Sequence, residues 1–163
     1  MPDKLTKRLE TEGKIRKQKT GFIQIEALLK EAILDLEEGK RIVDIAERAT
    51  YLLAYNAMLK AGRALMLLRG YVPHDGAQHK TVVEMTSAIL GDSYRDLTGQ
   101  FETMRRKRNI MTYEAETLLS KSESQRAFLD AIELVQKILG EVKKQNPQLS
   151  LKLNLKGKGS STG

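Results

Sequence analysis

Apolar residues spaced three and four positions apart recur along most of this chain, and this spacing predicts helices. The first stripe begins at Phe22 and continues to Leu36, and Gly39 is placed to end that helix. A longer stripe predicts a second helix over about 41–70, with Gly70 as the residue that terminates it. The pattern therefore indicates an all-α fold.

Three further helices complete the pattern. A helix over about 79–90 is followed by Gly91, and Ser93-x-x-Asp96 resembles a capping box that begins the next helix. The apolar face of that fourth helix consists of Tyr94, Leu97, Phe101 and Met104. Ser122-x-x-Gln125 predicts the capping box of a last helix over about 123–143. Short connections then predict an up-and-down antiparallel bundle of four to five helices.

The two ends lack this helical period. Residues 1–20 indicate a basic, flexible or loosely helical lead-in, and residues 21–145 form the helical domain. Residues 146–163 are interpreted as a basic flexible tail, although LSLKLNL within them alternates like a strand. The connector GYVPHDGAQ contains Pro73, Asp75 and Gly76, which are typical of a turn.

The net charge of +7 is concentrated at the ends of the 163-residue chain. Residues 1–20 hold seven basic and three acidic residues, and residues 141–163 hold five basic and one acidic residue. Residues 21–140 have a net charge of −1, with 16 basic and 17 acidic residues. Basic ends of this kind either attract polyanions weakly or simply keep the chain solvated.

Several classes of protein are disfavoured by composition. The absence of cysteine excludes disulfides, thiolate metal sites and thiol catalysis. We find no metal-spaced cluster, phosphate loop or serine triad, so no metal or cofactor is predicted. The most apolar stretch, residues 51–68, is interrupted by Asn56, Lys60 and Arg63, and the first residues contain no apolar leader segment. These features favour a cytoplasmic protein that does not enter a membrane.

The run RRKR at residues 105–108 is the most basic segment of the helical domain. The apolar stripe of the fourth helix, extended by one step, reaches Arg108, whereas Arg105, Arg106 and Lys107 fall on other sides. An arginine on an apolar face requires an anionic or polar partner unless its end reaches water.

Two polar residues, Asn56 and Arg63, lie one heptad apart in the stripe of the second helix. If the second and fourth helices are neighbours, these residues gather with Arg108 and Asn109 into one polar patch. The alternative is that they fix helix register or a dimer interface.

The order of the helices and the residues Arg108-Asn109-x-x-x-Tyr113 resemble the HEPN superfamily over about residues 22–143. The resemblance implies a helical bundle that forms a homodimer, in a family that includes RNases of toxin–antitoxin and defence systems. In family RNases an arginine and a histidine, in the pattern R-x4–6-H, are thought to act across the dimer cleft. In some family toxins the antitoxin is a nucleotidyltransferase that modifies a tyrosine.

This chain departs from the family pattern, because Tyr113 stands where the histidine belongs. A second register, Arg106-x4-Met111-x-Tyr113, has methionine at that place. A phenol has an ordinary pKa near 10 and is a poor general base at neutral pH. His79 lies at the start of the third helix, where a lone histidine is typical of a cap or a surface position.

Three hypotheses follow. The first is a HEPN-like dimer, catalytically weak or inactive, that binds RNA or a partner protein through Arg105, Arg106, Lys107 and Arg108. The second is a metal-independent endoribonuclease toxin that uses Arg108, Asn109 and Tyr113. The third is a helical adaptor that binds no nucleic acid. Arginines that line one cleft would favour the first two hypotheses, and arginines on opposite outer faces would favour the adaptor.

Overall fold

A computed structural model describes residues 2–19, 21–74, 78–115 and 117–156, with side chains described from Lys4 onward. The described part of the chain contains six α-helices, one 3₁₀ turn and a two-stranded ribbon. In chain order these elements are α1 (Pro2–Thr11), β1 (Ile15–Lys17), α2 (Phe22–Ile42), α3 (Glu47–Leu68), β2 (Tyr71–Pro73), α4 (Gln78–Leu90), the 3₁₀ turn (Asp92–Tyr94), α5 (Arg95–Tyr113) and α6 (Lys121–Gln145). The all-α class predicted from periodicity is confirmed, with six helices in place of four to five.

Helix α3 lies at the centre of the molecule and packs against α2, α4, α5 and α6. Its buried residues occur on all sides of the helix, from Thr50 to Leu68. A helix that is apolar all round is stabilised by burial rather than by one amphipathic face. The central position of α3 therefore explains why its sequence gives a less distinct stripe than that of α6.

The predicted end of the first long helix at Gly39 is wrong. Helix α2 continues through this glycine to Ile42, and α3 begins at Glu47. A Cβ atom at position 39 would lie 2.9 Å from the ring of Phe128 on α6. Gly39 thus permits two helices to approach closely, and it does not end α2. Lys40 and Arg41 in the last turn suit the negative end of the helix dipole.

Two predicted helix starts are also displaced. Helix α6 begins with a capping box between Ser120 and Glu123, two residues before the predicted Ser122. The Ser120 hydroxyl accepts a bond from the Glu123 backbone N–H at 3.0 Å. Helix α5 follows the 3₁₀ turn and has no side-chain cap, so the predicted capping box from Ser93 to Asp96 does not form.

The N-terminal segment forms a helix and a strand that pack on the core, where the sequence indicated a flexible or loosely helical lead-in over 1–20. Leu9 of α1 is completely buried, and Ile15 of β1 is nearly so. Strand β1 pairs antiparallel with β2, and Ile15 lies opposite Pro73. This two-stranded pairing, which we call the basic ribbon (Ile15–Lys17 with Tyr71–Pro73), attaches the N-terminal segment to the connector after α3. The connector residues Asp75 and Gly76 lie outside the described residues.

The described part of the C-terminal tail also packs on the bundle. Leu149 is buried, and Leu151, Leu153 and Leu155 are partly buried against the core. The Gln136 side chain on α6 donates to the Leu155 carbonyl at 2.7 Å. The alternation of LSLKLNL therefore reflects an extended segment with its leucines against the helices, and a flexible tail is the wrong description up to residue 156. Residues 157–163 lie outside the described part.

Within the described residues, no helix is both long enough and apolar enough to cross a membrane.

Candidate functional site

Helix geometry distributes the four cations of residues 105–108 over different surfaces. The Arg105 side chain is 15% exposed, and its Nε donates to Glu102 at 2.7 Å. Arg106 binds the same carboxylate at 2.8 Å but is 72% exposed. Lys107 Nζ donates to the Leu118 carbonyl at 2.6 Å and lies 3.5 Å from the Glu123 carboxylate. The run is therefore not a single basic surface.

Arg108 lies half-buried on the face of α5 that turns toward the core, as its phase predicted. Its Nη1 donates to the Asn109 side-chain oxygen at 3.4 Å, which is a long and weak bond. Arg105 precedes it by three residues and shares this face, since positions three apart are neighbours on a helix. The prediction that Arg105 falls on another side is therefore wrong.

A hydrogen-bonded tyrosine–histidine pair lies next to these arginines. The Tyr55 hydroxyl on α3 is 2.9 Å from Nδ1 of His79, in the first turn of α4. Tyr55 is completely buried, its ring contacts the Phe101 ring of α5, and His79 is half-buried. The interpretation of His79 as a surface or capping residue is wrong, because α4 is held against α3 at this point.

Close packing of α3 and α4 makes the pair possible. A Cβ atom at Gly62 of α3 would lie 2.7 Å from both Thr86 Oγ1 and Val82 Cγ1 of α4. Since any side chain at position 62 would force the helices apart, this glycine sets the distance between them.

The electrostatics of the pair show which cations are close to it. The pKa of His79 is lowered below 6.5, first by burial and then by the charges of Arg108, Arg63 and Arg105. Burial raises the pKa of Tyr55 to about 12, against the opposing charges of Arg108 and Arg105. Both groups are therefore uncharged near pH 7. Because a buried phenol requires an acceptor, we assign its proton to the bond toward Nδ1, which places the imidazole proton on Nε2.

Arg63 joins this site from α3. Its Nη2 donates to the side-chain oxygen of Gln78 at 2.8 Å, and its charge reaches His79. Its Nε is buried without a hydrogen-bond partner among the described residues. Asn56 is exposed and takes no part. The predicted polar patch therefore retains Arg63 and Arg108 and loses Asn56.

In the folded protomer, Tyr113 lies away from the tyrosine–histidine pair and its arginines. It is the last residue of α5 and is 83% exposed. Five residues of helix separate it from Arg108, which places the two side chains about 140° apart around the axis. Met111, the residue in the histidine place of the second register, is buried.

Sequence reasoning missed Tyr55 because α3 is buried on nearly all sides. The stripe through Leu52 and Asn56 had the same spacing as the stripe that contains Tyr55. An aromatic hydroxyl near the middle of an otherwise apolar helix was the available signal, since a buried phenol needs a partner.

These residues, which we call the arginine–histidine site (Tyr55, Arg63, His79, Arg105 and Arg108), are suited to an anion. Arginines bind phosphate oxygens through two N–H groups, and an uncharged imidazole can accept or donate a proton. Among the described residues, no group of three His, Asp or Glu side chains is arranged to hold a metal ion.

Comparison of the chain with protein-family models, curated proteins and solved structures finds no match.

Proposed function

We propose that this protein is a HEPN-like up-and-down helical bundle that forms a homodimer and binds RNA, in a toxin–antitoxin or defence setting, with weak or no catalysis. The observation that carries the proposal is the convergence of Arg63, Arg105 and Arg108 on one half-buried histidine. The Arg108-Asn109 pair that supports the family resemblance lies in this site.

The charge balance of the site favours a polyanion. Arg105 is neutralised by Glu102, whereas neither Arg63 nor Arg108 forms an ion pair with a carboxylate of the described residues. A partly buried cation without a counter-charge is unfavourable, and a phosphate group would relieve this cost. Arg63 on α3 and Arg108 on α5 could contact successive phosphates of an RNA backbone, which a single exposed lysine could not do.

A partner protein is the alternative ligand within the same proposal, and a nucleotidyltransferase antitoxin is the form that the family resemblance suggests. Tyr113 is accessible to such a partner because its ring is 83% exposed. Exposed apolar side chains at Ile110 and Leu118 lie near the same end of α5 and support an interface there.

A metal-independent endoribonuclease is the second candidate, and the position of His79 favours it. In this reaction water takes the proton of the 2′-hydroxyl as the oxygen attacks phosphorus, and the Nε2–H of His79 donates a hydrogen bond to a phosphate oxygen. The 5′-oxygen then leaves with a proton from water, and a 2′,3′-cyclic phosphate forms. Arg108 and Arg63 stabilise the charge on the phosphate oxygens. His79 thus takes the place of Tyr113 beside the phosphate in this candidate.

The test is RNA binding and cleavage by Arg108→Gln beside Arg106→Gln. Both substitutions remove one charge from the same helix, but Arg106 points to solvent. We expect Arg108→Gln to weaken binding about tenfold and Arg106→Gln to change it less than about twofold, since a good phosphate contact contributes about 1.4 kcal/mol or more.

Equal losses in the two variants would contradict a specific site. Cleavage that is retained in the Arg106 variant and abolished by His79→Gln would support the endoribonuclease. Absence of both binding and cleavage in the unmodified protein would leave the adaptor hypothesis.

A further inference from the structure

The basic ribbon presents cations on both of its faces. Successive strand residues point to opposite faces, so Arg16 and Lys17 lie on different sides. Residues that pair across the two strands share a face, so Val72 lies on the face of Arg16 and Tyr71 lies on the face of Lys17.

The face that carries Arg16 closes a cavity of about 470 Å³ against α2 and α3. Arg16, Arg63 and Gln78 line this cavity, and Leu28 and Val72 contribute an apolar wall. Glu31 also lines it, 3.7 Å from the Lys60 ammonium group. Arg63 also acts on His79, and Gln78 is the residue that binds Arg63. The cavity and the arginine–histidine site therefore share Arg63.

The opposite face borders a shallow cavity of about 380 Å³. Lys17, Lys19 and Arg69 line it together with Tyr71, which is partly buried against the core. Gln18 lines both cavities and closes the ribbon through a 2.8 Å bond from its backbone N–H to the Gly70 carbonyl. The two cavities therefore share Gln18 at the ribbon's end.

The cations on and beside the ribbon form no ion pair within the described part of the chain. None of Arg16, Lys17, Lys19 and Arg69 forms an ion pair with any described residue. In contrast, Arg105, Arg106 and Lys107 all have carboxylate partners. These uncompensated cations thus belong in part to the segment that the sequence indicated was a lead-in.

We propose that single-stranded RNA bound at the arginine–histidine site continues past Arg63 and Arg16, turns over the ribbon at Gln18, and ends on Lys17, Lys19 and Arg69. This inference rests on the proposed function and extends it to a second phosphate-binding region. Tyr71 lies where an unpaired base can stack, and a positive groove with an aromatic ring is the usual arrangement for single strands.

The geometry selects a single strand over a duplex. The path reverses around a ribbon of two strands that lie about 4.8 Å apart. Duplex DNA has a persistence length of about 150 base pairs. A base-paired RNA helix is likewise too stiff to follow so sharp a turn, whereas a single strand follows it.

The test uses fluorescein-labelled oligouridines of about 4 and about 12 nucleotides, lengths that span the usual site sizes for single strands. The ribbon variant combines Lys17→Gln, Lys19→Gln and Arg69→Gln. Its control combines Lys30→Gln, Lys40→Gln and Lys121→Gln. These three lysines are exposed on helices, and the control therefore removes three positive charges, as the ribbon variant does. Thermal unfolding of both variants checks that they fold.

We expect the ribbon variant to bind the long RNA about tenfold more weakly. The negative slope of log K against log salt should become shallower by about 2, because three phosphate contacts are lost. The short RNA and the control variant should change less than about twofold. A 12-base-pair duplex should bind more weakly than the single strand.

Equal losses in the ribbon and control variants, or tight duplex binding, would overturn the proposal. If the ribbon variant binds like the unmodified protein while Arg108→Gln does not, the RNA path is rejected and the proposed function stands. If the unmodified protein binds neither RNA, both proposals fail.

Discussion

The Tyr55 hydroxyl and His79 Nδ1 lie 2.9 Å apart and join the middle of α3 to the first turn of α4. The bond fixes the orientation of the imidazole, so that Nε2 is directed away from Tyr55. It also holds this half-buried histidine against Tyr55, which is completely buried. Its titration is therefore coupled to folding.

Stability should fall as the pH is lowered from 7.5 to 5. The pKa of His79 in the folded protein lies below its value of 6.5 in the unfolded chain. Between these two values the unfolded chain binds more protons, so the free energy of unfolding decreases as pH falls. Urea unfolding at half-unit pH intervals measures this loss. His79→Gln should flatten the decrease and His74→Gln should not, and identical profiles for the two variants would rule out this coupling.

Gly62→Ala should destabilise the protein by about 1–3 kcal/mol, because the added methyl group overpacks the contact between α3 and α4. Gly99→Ala is the matched control, since nothing lies within 4 Å of a Cβ atom there. That control should be neutral or stabilising by about 0.5–1 kcal/mol, as expected for alanine in a helix interior. Denaturant midpoints report both values, and a neutral Gly62→Ala would contradict the close helix contact.

Leu9→Ala should cost about 2–5 kcal/mol, the range for truncation of a fully buried leucine. Leu34→Ala on α2 should change stability by less than about 0.5 kcal/mol, because that side chain is half exposed. Differential scanning calorimetry of the two variants tests whether the N-terminal helix is part of the core. Equal unfolding temperatures would show that it is not.

Glu102→Gln should strengthen RNA binding, since this carboxylate neutralises both Arg105 and Arg106. Its pKa is lowered mainly by the hydrogen bond from Arg105, so it is fully charged at neutral pH. Release of the two arginines should tighten binding several-fold at 50 mM salt and raise the salt slope by about 1. Fluorescence anisotropy across a salt series measures both effects. Weaker binding would mean that Glu102 holds Arg105 in the position that contacts RNA.

The helices were predictable where one side faces water. Helix α6 has buried residues Phe128, Ile132 and Val135 at helical spacing, and a helix was predicted there over about 123–143. The phase of Arg108 on α5 followed from the same argument. Such faces are defined by the contrast between apolar and polar residues, which is present in the sequence itself.

The ribbon and the tyrosine–histidine bond were not predictable in this way. Ile15–Lys17 is too short for a recognisable alternation, and its partner strand lies beyond two long helices. Tyr55 and His79 come from separate helices, and their contact depends on the absence of a side chain at Gly62. Contacts of this kind depend on how elements pack, and local periodicity contains no information about them.

The pairing of Ile15 with Pro73 also sets the order in which the chain can fold during synthesis. The ribosome must add 58 further residues after Ile15 before Pro73, its partner, has been synthesised. At about 5–20 residues per second this delay is roughly 3 to 12 s. During this interval the N-terminal cations have no folded site to join, and the arginines of α5 have not yet been made. The RNA-binding surface proposed above would therefore form only late in translation, once both long central helices have left the ribosome.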